Sequence, residues 1–334
     1  MRITHSMNRP SREWAAAVIA LGALLPCART ASGDPAAKPD AVVAADGSGQ
    51  FTTVQAAIDA APQLSRPSPH WIIRVREGTY RERIYVQREK RFVRLVGDDP
   101  ERTVIAFDLY AKVTGPDGRP IGTFLTPTAW IDADDFSIDN LTIANTAGPK
   151  GQALALRVDG DRDVFRNCRF LGWQDTILGN RGRHFYHGCT ITGAVDFIFG
   201  AATEFYESCE IRCLGNGYIT AASTPAGEPF GFVFSNCTIS GDNPGVRTYL
   251  GRPWRACASV TFINTRMTEV VRPEGWHNWD RPEREKTARY AEFASTGAGA
   301  RPSARAPWSR TLTAAEAGAI TVGRVLGGPD GWKP

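Results

Sequence analysis

One six-residue pattern recurs along this chain, and it limits the fold more than any other feature. Phe165-Arg166-Asn167-Cys168-Arg169-Phe170 returns as Tyr186-His187-Gly188-Cys189-Thr190-Ile191, as Tyr206-Glu207-Ser208-Cys209-Glu210-Ile211 and as Phe234-Ser235-Asn236-Cys237-Thr238-Ile239. Weaker copies flank these, Ile138 to Ile143 with Leu141 in the cysteine slot and Phe262 to Met267 with Thr265. Successive slots lie 27, 21, 20, 28 and 28 residues apart, and within each copy apolar and polar residues alternate as in a half-buried strand. The pattern reads as one short strand used six times. Units of this length cannot bury an apolar face alone and must stack on one another as a solenoid. With strands and turns, and no ten-residue helical stretch between copies, the expected fold is all-β: a single-domain, right-handed parallel β-helix. The 33 Gly, 22 Pro and only 3 Met suit such a turn-rich chain. Val54, Ala57, Ile58 and Ala61 fall at helical spacing within Thr53 to Ala61, which predicts a short helix capping the open N-terminal end.

The first 33 residues follow a different plan. Arg2, Arg9 and Arg12 precede an apolar run from Ala15 to Leu25, and small residues follow at Ala31, Ser32 and Gly33. That order predicts a secretory signal, removed from a mature domain of residues 34–334. The run is too short to span a bilayer as a stop-transfer helix. Its loss takes away four Arg and one Glu, so the net charge falls from +4 to +1. A nearly neutral, exported monomer is expected, with no membrane span and no nucleic-acid partner. Six of the seven cysteines then remain. A bridge between Cys189 and Cys209 and a free internal ladder are both open readings.

The rung length carries the chemistry. Gln152 and Gln174 are 22 residues apart and Asp175 and Asp196 are 21 apart, so each pair is separated by one rung, about 4.8 Å in space. Two carboxylates that close cannot both ionise easily, so one is expected to keep its proton at a raised pKa. Arg252, in Leu250-Gly251-Arg252-Pro253-Trp254, lies two rungs beyond Asp196 and is placed to hold that carboxylate ionised. Asp196 itself sits in the apolar run Val195-Asp196-Phe197-Ile198-Phe199-Gly200, where a charge is costly unless paired or functional.

With these residues in place the chain resembles the pectin methylesterases, in the manner of a secreted bacterial member. Gly78-Thr79-Tyr80-Arg81-Glu82, Gln152-Ala153-Leu154-Ala155-Leu156, Gln174-Asp175-Thr176, Asp196-Phe197-Ile198-Phe199-Gly200 and Leu250-Gly251-Arg252-Pro253-Trp254 match the family's motifs in order. The resemblance implies removal of methyl esters from homogalacturonan without metal or organic cofactor. It implies Asp196 as nucleophile, Asp175 as general acid and then base, Gln152 and Gln174 as oxyanion donors, and Arg252 as the partner of the nucleophile. For substrate binding it implies Trp254, with Phe199, Val195 and Thr123 as cleft residues. After Thr123 the chain departs from the family: Phe124-Leu125-Thr126-Pro127-Thr128-Ala129-Trp130 stands where a small, Ser-rich run is usual, so the cleft wall there is expected to differ.

Other constellations are weaker. His184 and His187 read as surface residues of a strand, and Asp132, Asp134 and Asp135 as a solvated turn rather than a calcium loop. No Gly-x-Ser-x-Gly elbow is present to support a serine esterase. Two rival functions share the expected fold, a β-helix enzyme that cleaves the sugar chain, of polygalacturonase or pectate lyase type, and a non-catalytic polysaccharide binder. Against the first stands the glutamine pair, since acyl transfer needs oxyanion donors and glycoside hydrolysis does not.

Overall fold

A computed structural model describes residues 38–63 and 70–334; the expected signal segment lies outside them. Residues 38–334 form one compact unit. All the paired strands run parallel, in an 11-stranded sheet and a 13-stranded sheet. The second sheet bends around an edge, because Thr190–Gly200 pairs with Arg169–Leu171 through its first half and with Ile177–Gly179 through its second. The chain therefore winds past one face of the first sheet and two of the second in every turn, as the β-helix reading requires.

The repeat sets the register. Ile138, Phe165, Tyr186, Tyr206, Phe234 and Phe262 lie opposite one another across successive strands. So do Ile143, Phe170, Ile191, Ile211, Ile239 and Met267 on the next face. Inside the coil the rings of Tyr186, Tyr206, Phe234 and Phe262 stack at 4.5 Å, nearly parallel. Burying such a ring contributes about 2–3 kcal/mol, and a one-residue slip turns every member of the column to solvent. Packing, more than the ladder hydrogen bonds that any register would satisfy, selects this register. The cysteine slots line the interior as well, and Cys168, Cys189, Cys209 and Cys237 are free, buried thiols. Of the two readings of the cysteines, the structure has the ladder.

The six-residue unit is not one strand. Asp163–Arg166 ends at a corner and Arg169–Leu171 begins beyond it. The residue before each slot has a left-handed backbone: Asn140, Asn167, Gly188, Ser208, Asn236 and Asn264 have φ between 51° and 62°. Asn and Gly tolerate that conformation best, and their presence at these positions is the signal that strand alternation concealed. Between neighbouring rungs the corners are tied by Asn167 Nδ2 donating to Asn140 Oδ1 at 2.8 Å.

The N-terminal helix forms over Val54–Ala60 with Thr53 as its cap, and Val54, Ala57 and Ile58 face the core. Glu82, the last residue of the Gly78–Glu82 motif, accepts hydrogen bonds from the backbone of Val54 and Gln55. That motif thus anchors the cap to the first rungs. At the other end Val322–Leu326 lays Val325 and Leu326 against Val164, Phe205 and Val233 on the outer side of the first sheet.

Two minor readings are corrected. His184 is not on the surface: it is fully buried, between Glu204 Oε1 at 2.9 Å and the Gly160 carbonyl at 3.1 Å. Its strand position points into the coil, the same side as Tyr186 two residues on. The aspartates of the supposed solvated turn are ion-paired instead, Asp132 with Arg88 and Arg181, Asp135 with Arg91 and Arg162, and Asp134 with Arg162.

Candidate active site

The edge around which the second sheet bends collects the polar residues singled out by rung spacing. Gln152 bridges Gln174 and Gln174 bridges Val195 as parallel neighbours, so Asp175 and Asp196, the next residue of each rung, stand one step apart. The Asp175 amide donates to the Val195 carbonyl at 3.1 Å. Both aspartates have left-handed backbones, φ 64° at Asp175 and 50° at Asp196. Strain of this kind in a non-glycine residue persists only where its surroundings enforce it. Around Asp196 the ladder shifts register twice, between Gly193 and Val195 and between Val195 and Ile198, and a bulge of that sort re-aims a side chain out of the strand's alternation. Its neighbour Phe197 turns inward and is fully buried, packed over Gly193, where any β-carbon would collide with the ring.

Arg252 arrives from the rung two steps on. Its Nε donates to Asp196 Oδ1 at 2.9 Å and its Nη2 to Oδ2 at 2.6 Å, a two-point fork. Gly251 makes the approach possible, since a β-carbon there would run into the Thr220 hydroxyl. The guanidinium is clamped between the rings of Tyr218 and Trp279, each 3.8 Å from its carbon. Sequence reasoning missed both rings. Tyr218 carries a signal, for it pairs with Val195 beside the nucleophile candidate; Trp279 comes from an irregular turn at φ 64° and has none.

The two carboxyls are 8% and 7% exposed, Asp175 and Asp196 respectively, yet they differ electrostatically. Burial pushes Asp175 well above the usual carboxylate range, and the charge of Asp196 adds to the rise. Burial also raises Asp196, but the Arg252 hydrogen bonds and charge pull against it. The two therefore differ in that only Asp196 has a hydrogen-bonded cation opposing its burial, and Asp175 is the one pushed further toward its protonated form.

Gln152 and Gln174 are half-buried, Gln174 directly preceding Asp175 and Gln152 bridged to Gln174 from the neighbouring rung. Phe199 and Trp254 meet edge to face at 5.8 Å over Leu154, Leu178 and Ala221. Val195 adjoins Asp196 on the same rung. Thr123 begins a short 3-10 turn, Thr123–Leu125, that is tied to the site indirectly: the preceding Gly122 amide donates to Ala111, whose amide donates to Gln152. Among the described residues no group of three or more His, Cys, Asp or Glu is arranged to hold a metal, and no helix is long and apolar enough to cross a membrane.

The chain is similar to known proteins. The pectinesterase family model matches residues 40–329. Pectinesterase 31 of Arabidopsis thaliana is 40% identical over 282 residues, which cover 83% of this chain and 88% of that protein; the chain spans about half the length of other plant relatives it matches. Among solved structures, pectin methylesterase from carrot superposes with a TM-score of 0.82 at 33% identity, over 89% of this chain and 96% of its own. A pectin methylesterase in complex with a hexasaccharide gives 0.77 at 31% identity, over 90% and 100%.

Proposed function

The chain belongs to the pectinesterase family and is an enzyme of that class, and from that premise we propose that it is exported and removes methyl esters from homogalacturonan by acyl transfer through Asp196. The observation that carries the reading is the unequal pair, a carboxyl held by a clamped guanidinium one rung from a second, buried carboxyl that burial drives toward its protonated form.

An Asp196 oxygen attacks the ester carbonyl of a methylated galacturonate, and the electron pair of the C=O moves onto its oxygen. The amide N–H groups of Gln152 and Gln174 donate to that oxyanion, and being neutral they add no charge that would compete for Asp196. As the tetrahedral intermediate collapses, the C–OMe bond breaks and Asp175 gives its proton to the leaving methoxide, releasing methanol. Asp196 is left as a mixed anhydride with the sugar carboxyl. Asp175, now an anion, takes a proton from water, whose oxygen attacks the anhydride; pectate leaves and both carboxyls return to their starting states. Arg252 keeps Asp196 ionised and aimed before the attack and receives its carboxylate again when the anhydride opens. Phe199, Trp254, Val195 and Thr123 form the walls against which the sugar rings rest, with the Phe199–Trp254 corner supplying the aromatic surface.

Methanol release from highly methylated pectin, with chain length followed in the same samples, tests this directly. Wild type is expected to release methanol without shortening the chain, and Asp196→Ala to release none. Appearance of reducing ends or unsaturated products would overturn the esterase assignment and the roles of Gln152 and Gln174 together.

A further inference from the structure

The outer face of the sheet that carries Phe199 bears a file of side chains that the catalytic assignment leaves unused. Tyr85 lies opposite Trp130, Trp130 opposite Arg157, Arg157 opposite Leu178, and Leu178 opposite Phe199. Four rungs separate the ends, roughly 19 Å at the strand spacing. Alternation turns all five outward, since Ile84, Val86, Ala129, Ile131, Leu156 and Val158 on either side point into the core. At the Phe199 end Trp254 and Trp279 pack over the file. The other end is open. Large apolar side chains exposed among the described residues are Tyr85, Phe124 and Leu125, at 39%, 48% and 51%, and all gather here: the Phe124 carbonyl accepts from Arg157, and the Leu125 carbonyl from Arg83.

These aromatics are held stiffly although they contribute nothing to the interior. Tyr85 and Trp130 sit 5.1 Å apart, their planes tilted by 58°. The Trp130 indole N–H donates to Asp159 at 2.5 Å, and Arg157 lies 4.1 Å over the same ring, itself bound to Asp159 at 2.7 Å. Both signs of charge stand around them: Asp132 and Glu89 as well as Arg88 act on Tyr85, and Asp159 sits against Trp130. Arg88 and Arg181, 72% and 52% exposed, share the carboxylate of Asp132 at 3.4 and 3.6 Å with the Tyr85 hydroxyl, which donates to it at 3.4 Å, and among the described residues Arg83 is engaged only by backbone carbonyls. Rigid, part-exposed aromatic surface beside two exposed guanidinium groups that share one carboxylate suits a sugar that carries a carboxylate. The proposed reaction makes that group, converting a neutral ester into an anion on the same polymer at every turnover.

We propose that Tyr85 and Trp130, with Arg88 and Arg181, form a distal subsite for de-esterified galacturonate units of the chain whose next ester lies at Asp196. The proposal rests on the pectinesterase reading above and extends it, because holding the product stretch while a neighbouring ester reacts favours clustered demethylation. Its test uses the full chain and two surface changes, Tyr85→Ala and the double variant Arg88→Gln with Arg181→Gln. Affinity for de-esterified polygalacturonate is measured by calorimetry, and methanol release is followed on partly de-esterified pectin and on a trimethyl trigalacturonate too short to reach from Asp196 to Tyr85.

Each variant is expected to bind polygalacturonate more weakly and to raise KM on the polymer roughly tenfold with kcat kept, while its kinetics on the trimer match wild type. The double variant is also expected to lose most of the salt dependence of polymer binding. Unchanged polymer KM and polygalacturonate affinity in both variants overturn the subsite, as does an equal loss on polymer and trimer. If wild type releases methanol from neither substrate, the functional reading fails instead, and the polygalacturonate titrations still decide the subsite by whether the variants differ from wild type.

Discussion

At the scale of single residues, the arginine distinguishes two chemically identical side chains. Asp175 and Asp196 are about equally buried, and of the two it is Asp196 that a cation hydrogen-bonds at both oxygens. The proposed mechanism needs Asp196 ionised and Asp175 protonated, so kcat/KM against pH is expected to be bell-shaped. Its acid limb follows the ionisation that Arg252 assists, and its alkaline limb the proton held by burial and by the charge of Asp196. Arg252→Lys removes the fork and loosens the clamp between Tyr218 and Trp279 while keeping a positive charge. With less to oppose burial, the Asp196 carboxyl rises further, the acid limb moves to higher pH and the bell narrows from that side. Activity at its maximum is expected to fall by about a hundredfold. An acid limb that stays in place in Arg252→Lys would show that the arginine does not set the ionisation of the nucleophile.

At the scale of the rung, the corner before each cysteine slot is a repeated local decision. Asn167 at φ 51° carries a conformation that costs an ordinary residue about 1–2 kcal/mol, and it also donates to Asn140. Asn167→Ala is expected to lower stability by roughly that amount or somewhat more, and Asn167→Gly by less, because glycine meets the backbone demand and loses only the ladder bond. Urea midpoints of the two variants check the order, and an alanine variant as stable as the glycine one would mean the corner bears no strain. These corners also mark how far the sequence could be read. Register, the interior columns and the pairing of Gln152 with Gln174 all follow from the spacing of similar residues, since a parallel coil places residues one turn apart side by side. The corner was absorbed into a strand because alternation continues through a single left-handed residue. His184 was read as exposed because a polar residue on a short strand gives no sign of the buried carboxylate one rung away, Glu204, that receives it. Arg252 is legible from its place two rungs beyond Asp196. Its aromatic clamp is not, because Trp279 reaches the site from a turn with no periodicity to betray it.

At the scale of the molecule, buried acids and paired acids set opposite limits on stability. Asp163 is wholly buried, accepts one hydrogen bond from the Phe136 amide and leaves its second oxygen without a partner; burial pushes it well above its ordinary 3.8. A carboxyl raised in the fold binds more protons folded than unfolded. Its contribution is therefore complete below the ordinary value and is lost as pH rises through the folded one. Asp175 and Asp196 act in the same direction. Asp135 and Asp161 do the reverse, held low by Arg162, Arg91 and Arg183 against their own desolvation; their contribution is present above 3.8 and is lost as pH falls below it. Arg162 and Arg183 also grip Asp330 near the C-terminus, so acid loosens the tail from the first sheet as it weakens those pairs. The stability curve is thus expected to peak in mildly acidic solution and to decline toward both sides. Asp163→Asn separates the two limits: it keeps the shape and the acceptor for the Phe136 amide, and it stays neutral at every pH. Melting temperatures across about pH 2 to 8 are expected to fall more shallowly on the alkaline side in this variant than in wild type, with the acid side unchanged. Parallel alkaline slopes in the two proteins would mean that Asp163 keeps its proton throughout that range or finds water when it ionises, and that the alkaline limit is set by the catalytic pair instead.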